Sequence, residues 1–314
     1  PWYAGKDANG DCDATAWEKV YTGNTLTGNG HYVLDFFNKN RGSASGLTGL
    51  TQMTEVEGSR FKSVAAFSGR IFYSGLTSAK NAGKIIFSKQ LDNITEAGQC
   101  YQQNDPTSED FSDLLDTDGG VILIPDATNI QKLHVFGSTL LAFAENGVWQ
   151  ISGVDGVFRA TEYSVSRVSE IGIDNPKTFV SVEGIPMWWS KQGIHTMDID
   201  KISSKASEQN LTISTIQRFF DKIDNNAKRQ CEAVYDKTNK RVHWFYPNNG
   251  EAIDNKKNRV LTLDIAIQAF YPWEVSDDEG TNNFIIGAAY YTGLGSDFRD
   301  IDVWTSAGAD VVTS

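Results

Sequence analysis

From Phe61 onward, short apolar runs alternate with turn residues. Val64-Ala65-Ala66-Phe67 leads through a Ser68-Gly69 turn to Ile71-Phe72-Tyr73, and then to Ile85-Ile86-Phe87. After a polar excursion from Asp105 to Asp113 come Val121-Ile122-Leu123-Ile124 and Leu133-His134-Val135-Phe136. An alternating stretch from Phe158 to Val168 follows, then Phe179-Val180-Ser181-Val182. Runs of this length, bounded by Gly, Asn, Asp and Ser, predict β-strands joined by tight turns. Leu211 to Ile223 breaks the rhythm: Ile213, Ile216, Phe220 and Ile223 recur at helical spacing, with Ser214 and Gln217 placed as a capping box. That segment is expected to be one inserted helix. Strand patterns resume at Cys231 to Tyr235, Val242 to Tyr246, Val260 to Leu263, Ala269 to Tyr271, Ile285 to Tyr291 and Ile301 to Val312. Residues 1–60 are less regular, interrupted by an apolar run, Tyr32 to Phe37, that suits a short strand or a helical turn.

One pattern occurs three times. Phe143-Ala144-x-x-Gly147-Val148-x-x-Ile151 returns as Trp189-Ser190-x-x-Gly193-Ile194-x-x-Met197 and as Trp304-Thr305-x-x-Gly308-Ala309-x-x-Val312. An aromatic, a small residue, a turn ending in Gly and a second apolar run describe a β-hairpin, and Asn146-Gly147 suits a type I′ turn. The glycines stand 46 positions apart (193 − 147) and then 115 (308 − 193). A β unit recurring every ~40–50 residues predicts propeller blades. The expectation is an all-β chain: a β-propeller of about five to seven blades over residues 61–314, with residues 1–60 an N-terminal extension or part of a platform or first blade. Phe143, Trp189 and Trp304 should occupy equivalent, buried blade positions.

Composition agrees with this. Of 314 residues, 40% are hydrophobic and 11% aromatic, enough for a sizeable core, and 28 glycines against 7 prolines suit many tight turns. No run approaches the ~18 apolar residues of a membrane span. The sequence opens Pro1-Trp2-Tyr3, without the basic and apolar pattern of a signal peptide, and the absence of an initial Met suggests that the natural protein extends upstream. A net charge of −12 argues against gripping nucleic acid through its phosphates, which takes Lys and Arg clusters. Cys12, Cys100 and Cys231 form an odd set without C-x-x-C spacing, as expected of free thiols in a reducing compartment.

Candidate chemistry is sparse. Asp7 to Asp13 with Glu18 has the oxygen-ligand spacing of a calcium loop, but Cys12 stands where the sharp turn needs Gly, so an Asx-rich surface turn is the better reading. Ser276-Asp277-Asp278-Glu279-Gly280 with Phe284 comes near the Asp-box of sialidase-type propellers, with its aromatic one residue late and in a single copy; an acidic loop is favoured. His31, His134, His195 and His243 lie in different units. They would make a metal site only if a central channel gathered them, and half-buried strand positions are expected for the last three. Gly293-Leu294-Gly295 lacks the rest of a dinucleotide fingerprint. Trp188-Trp189 and Trp244-Phe245 could stack on sugars but read better as blade core. No catalytic, cofactor-binding or metal-ligating residue is assigned, and no cofactor is expected.

Several segments, in order, resemble the tail tubular (nozzle) proteins of short-tailed bacteriophages. These are Arg70-Ile71-Phe72-Tyr73-Ser74-Gly75 preceding Phe87-Ser88, Cys100 to Glu109, Asp116-Thr117-Asp118-Gly119-Gly120-Val121-Ile122, Leu141 to Trp149, Trp189 to Ile194, Leu211 to Gln217, and Leu263-Asp264 leading to Phe270-Tyr271-Pro272-Trp273. The resemblance runs from about Tyr32 to Trp273. It implies a non-enzymatic virion structural protein, assembled in the host cytoplasm as a hexameric ring below the portal and adaptor ring. Its partners would be further copies of itself, the adaptor ring and tail fibre or tip proteins. Double-stranded DNA would pass through without specific binding, past a lumen that the net charge predicts to be neutral or acidic. The apolar stripe of the inserted helix is expected at a subunit contact. The rival reading is a propeller that cleaves or binds glycans, a sialidase-like enzyme or a lectin.

Overall fold

A computed structural model describes residues 2–6, 12–19, 61–76, 81–93, 97, 100, 115–199, 206–248, 257–274, 285–292, 299–305 and 312–313, with backbone alone for the first two stretches and the last three. The described structure is mostly β. Near the N-terminus β1 (Trp2–Lys6) pairs antiparallel with β2 (Cys12–Lys19). The chain divides into two compact units, Pro1–Ala142 with Gln150–Ser166, and Phe143–Trp149 with Arg167–Ser314.

Four consecutive meanders carry the β structure. The first has β3 (Ser63–Phe67), β4 (Arg70–Ser74), β5 (Lys84–Phe87) and β6 (Gly120–Leu123), hydrogen-bonded in that order. The second orders β7 (Ile130–Phe136), β8 (Thr139–Ala144), β9 (Gly147–Gly153) and β10 (Tyr163–Ser169) likewise, and the division between the units passes through it. The third contains β11 (Val180–Val182), β12 (Ile185–Trp189), β13 (Ile194–Ile199) and β14 (Ala206–Asn210). The fourth runs β15 (Glu232–Asp236), β16 (Arg241–Pro247), β17 (Lys257–Asp264) and β18 (Ala269–Glu274). Its sheet continues from β17 into β19 (Ile285–Thr292), β20 (Arg299–Thr305) and β21 (Val312–Thr313).

Two-residue loops join first to second strand in three of these sheets: Ser68-Gly69, Gly137-Ser138 and Glu183-Gly184. Ser68 and Gly69 both have positive φ (49° and 71°), as do Glu183 and Gly184 (50° and 91°), the backbone that matches strand twist in a primed turn. The expected I′ turn at Asn146-Gly147 is absent. The loop there is Glu145-Asn146, Gly147 is the first residue of β9, and none of the three has positive φ. Gly147 is needed for space instead: a Cβ there would lie 2.7 Å from the Ser169 carbonyl oxygen.

The repeat itself holds in its first two copies. Phe143 is the penultimate residue of the second strand of its sheet and Trp189 the last of the second strand of the next, the two residues 0% and 2% exposed; Val148 and Ile151 match the equally buried Ile194 and Met197. The third copy falls partly outside the described residues, although Trp304 lies on β20.

The continuous helix expected from Leu211 to Ile223 does not form. Turns occupy 211–216, a short helix spans Gln217–Phe220, and a second spans Asn225–Arg229 with the Asp224 carboxylate accepting from the Asn226 N–H as its N-cap. Ser214 caps nothing. Asn210 Oδ1 takes the N–H groups of Thr212 (2.8 Å) and Ile213 (3.2 Å), holding the chain in a turn where a helix would have begun. The stripe also splits. Phe220 and Ile223 enter a core with Trp189, Trp244 and Leu261, whereas Ile213 is 70% exposed. The chain itself thus covers Phe220 and Ile223, packs Ile216 at the edge of that core and leaves Ile213 exposed.

Candidate functional site

Three polar centres and one cleft account for the chemistry that the described residues bring together. In the first unit, Arg70 is 2% exposed, its guanidinium 5.6 Å from the ring centres of both Phe87 and Phe158. It donates to the backbone carbonyls of Ser88 (2.8 Å), Thr117 (3.4 Å), Asp118 and Asp116, while Ser88 Oγ accepts from the Ile71 N–H at 3.0 Å. Gly120 lies where a Cβ would strike the Phe87 ring at 2.9 Å. Burial lowers the Arg70 pKa to about 10, against the fields of Asp118 and Asp116, so it stays charged at neutral pH. The cation fastens the segment 116–120 to β4 and β5.

The second centre has the atoms of a serine triad. His195, on β13 and 2% exposed, places Nε2 2.9 Å from Ser190 Oγ, and its Nδ1 is hydrogen-bonded to Glu208 on β14. Trp188, its cross-strand partner, stacks on the imidazole at 5.7 Å. Burial lowers the His195 pKa despite the hydrogen bond and charge of Glu208. The neutral ring then donates from Nδ1 to the carboxylate and accepts the serine proton at Nε2. A nucleophile needs open space and amides aimed at a developing oxyanion. Here the Gln192 and Gly193 N–H groups, at 2.9 and 3.2 Å, donate to Ser190 Oγ itself, and Ser190 is 4% exposed. The arrangement clamps the β12–β13 turn.

The third centre is Glu232, which accepts from Lys177 (2.6 Å) and the 4% exposed Lys257 (3.0 Å). Burial opposes ionisation of Glu232, but hydrogen bonds from both lysines outweigh it and hold its pKa below the usual range. Cys231 beside it is a free buried thiol whose pKa burial pushes up.

The cleft, about 480 Å³, is lined by Phe219, Lys222 and Ile223 on one side and by Tyr246, Asn248, Arg259, Pro272, Trp273 and Glu274 on the other. Strand register explains its wall: Tyr246 pairs with Arg259 across β16–β17, and Arg259 with Glu274 across β17–β18, so the three share one face. Arg259 and Glu274 form an ion pair at 2.7 Å. Trp273 points its indole N–H the other way, to Thr262 Oγ1 at 2.8 Å, which in turn meets His243 Nδ1 at 2.8 Å.

Of the histidines singled out in the sequence, His134 (β7) and His243 (β16) are half-buried, His195 is wholly buried, and His31 lies outside the described residues. Among the described residues no three His, Cys, Asp or Glu side chains gather as a metal site, and no helix is long and apolar enough to cross a membrane. Most of the calcium-like loop (7–11), the segment 276–280 with Phe284, and Gly293 to Gly295 also lie outside. Trp188, Trp189, Trp244 and Phe245 are at most 2% exposed, core and not sugar platforms. Sequence reasoning missed Glu208 and the cleft. Ser190 and His195 were both visible, but Glu208 joins them only through the β13–β14 register.

No protein-family model matches this chain, and no curated protein matches it. Among solved structures it is similar to a chain of a nidogen/laminin complex, at 11% identity over 78% of this chain and 72% of that one, with a TM-score of 0.37. It is also similar to the Dos1 propeller, at 12% identity over 79% of this chain and 57% of that one, TM-score 0.36. The extracellular domain of a one-component system from B. thetaiotaomicron is a third, at 10% identity over 84% of this chain and 26% of that one, TM-score 0.40. The chain thus spans about a quarter of the length of the last and a little over half of the second.

Proposed function

We propose that this chain is a non-enzymatic subunit of the tail nozzle of a short-tailed bacteriophage, its four-stranded meanders serving as blades of a β-propeller. Copies form a hexameric ring whose channel continues the DNA path below the portal and adaptor. One observation carries the reading. The segments that resemble the nozzle family, scattered along the sequence, meet one another in space. Arg70 joins its own segment to Phe87-Ser88 and to Asp116 to Gly120 through side chain-to-backbone hydrogen bonds. The turn Trp189 to Ile194 meets Leu211 to Gln217, where Gln217 Nε2 donates to the Gln192 carbonyl at 2.7 Å and the Leu211 N–H to the Ile194 carbonyl at 2.8 Å. Leu263 pairs with Phe270 across β17–β18. A motif set that builds the contacts of its own fold has a structural role, as a conduit subunit requires, and the polar groups in these contacts are occupied in holding turns.

Native mass spectrometry and negative-stain imaging of the purified protein test this. A six-fold ring with an axial channel is the expected result, and a monodisperse monomer at high micromolar concentration would overturn it. Duplex DNA should bind weakly, with little change between 50 and 200 mM salt; a steep salt dependence would mean a basic, gripping lumen.

A further inference from the structure

The cleft beside β18 has a property that turn-locking does not use. Tyr246 is 5% exposed, its ring packs 5.5 Å from that of Trp189, and its hydroxyl makes no hydrogen bond among the described residues. Unlike the Trp189 indole N–H, which is buried without a partner, this hydroxyl is open to the water of the cleft that it lines. The charges of Arg259 and Glu274 both act on this hydroxyl, and burial, the larger influence, pushes its pKa up to about 12, so it remains a proton donor across the neutral range. The wall therefore presents a hydroxyl, a guanidinium and a carboxylate in one row, with Asn248 at its end. Lys222 faces them, and Phe219, Ile223 and Pro272 give apolar surface between. Counting Lys222 and Arg259 against Glu274, this cleft carries one net positive charge in a chain whose net charge is −12. Its volume of about 480 Å³ falls within the ~300–1,000 Å³ of small-ligand sites.

We propose that this cleft binds a sugar acid, a single pyranose-sized ring bearing a carboxylate. The carboxylate faces Arg259 and Lys222, where a guanidinium offers paired donors. Ring hydroxyls accept from Tyr246 and donate to Glu274, and the apolar face of the ring covers Phe219 and Pro272. A wholly apolar ligand would cover the Arg259–Glu274 ion pair and the Tyr246 hydroxyl while replacing none of their water. A bare anion would leave the apolar lining of Phe219, Ile223 and Pro272 uncovered. The inference stands apart from the nozzle reading, since a ring subunit and a lone propeller would carry this cleft alike.

Ligand-observed NMR titration of the intact chain with D-glucuronate, D-glucose and acetate tests it. Glucuronate should bind with a dissociation constant of about a millimolar, as suits a ligand of so few atoms, and at least fivefold tighter than either probe that lacks its ring or its charge. Tyr246→Phe keeps the ring packing and should weaken glucuronate three- to tenfold; Arg259→Gln, at the half-exposed rim, should do so by a similar factor. Acetate binding as tightly as glucuronate would overturn the proposal, as would no saturable glucuronate binding at 10 mM or affinity unchanged in both variants. Should Tyr246→Phe fail to fold, Arg259→Gln alone decides the matter. A change in oligomeric mass with Arg259→Gln and no change in glucuronate affinity would mark the cleft as a protein contact and equally overturn the proposal.

Discussion

The hairpins at Gly147 and Gly193 share one sequence pattern but are locked by different chemistry. In both, the fourth strand of the meander reaches back over the turn glycine and leaves no room for a Cβ. At Gly147 the lock is a cation: the Arg167 guanidinium lies 5.2 Å over the Trp149 ring and donates to the carbonyls of Asn146 and Ser169. At Gly193 it is a hydrogen-bonded array around a buried imidazole, with Ser190, His195 and Glu208 closing the turn from within and Asn210, Thr212 and Gln217 from beside it. The shared glycine and aromatic reflect geometry, because a strand passing over a hairpin needs a gap and the face below needs a ring. The locks differ because any group that satisfies the turn carbonyls and amides will serve.

If the two aromatics are true equivalents, their removal should cost alike. Trp189→Ala leaves a void beside Phe220 and Trp244, and Phe143→Ala one beside Phe179 and Trp188. Each should lower unfolding free energy by ~3–5 kcal/mol in denaturant titration. A loss below 1 kcal/mol at one site alone would break the equivalence.

The glycines should separate the hairpins. At Gly147 a new Cβ meets a backbone carbonyl at 2.7 Å, which cannot step aside, whereas at Gly193 it meets the Thr212 hydroxyl at 2.5 Å and Asn210 side-chain atoms at 2.8 and 2.9 Å, which can rotate. Gly147→Ala should cost ~2–3 kcal/mol and Gly193→Ala ~1 kcal/mol; the reverse order would refute the account of the locks.

Acid should act on the second unit through its histidines. Burial depresses the folded-state pKa of His195 and takes that of His243 to about 4, against about 6.5 in the unfolded chain. Their contribution is complete above pH 6.5. Below it the unfolded state takes up more protons, so stability falls until His243 protonates in the fold near pH 4. After discounting for its partial exposure, His243→Gln should remove about 2 kcal/mol of the loss between pH 6.5 and 4. A wild-type stability flat over that range would contradict both assignments.

The smallest effect belongs to the cationic lock. Arg167→Met keeps much of the contact with Trp149 but loses the charge, and should cost ~0.5–1 kcal/mol. The same substitution in 1 M NaCl should cost little less, because a cation over a ring is screened less than a surface ion pair.

Strand runs, the aromatic-Gly repeat and the burial of Trp189 were legible because a strand's period of two fixes which side chains share a face. That both members of the pairs Trp188-Trp189 and Trp244-Phe245 are buried was not, since parity alone sends only one of each pair inward. The helix at Leu211 was misread for a physical reason. Ile213, Ile216, Phe220 and Ile223 do have helical spacing, but Asn210 captures the first free amides and bends the chain before a helix can nucleate, so Phe220 and Ile223 enter the core, Ile216 packs at its edge and Ile213 stays exposed. The turn at Glu145-Asn146 was misread because a glycine required for clearance looks, in one dimension, like a glycine required for positive φ.

By itself the sequence determined the β class, the hairpin repeat and the residues that fill the core, since these depend on neighbours a few positions away. Only the tertiary structure decided that Glu208 completes the array at His195, that Arg70 gathers carbonyls from 116 to 118, and that Tyr246, Arg259 and Glu274 form one wall of a cleft. Each of these depends on register between strands, and register is set by packing and turn geometry across the sheet, which no local pattern contains.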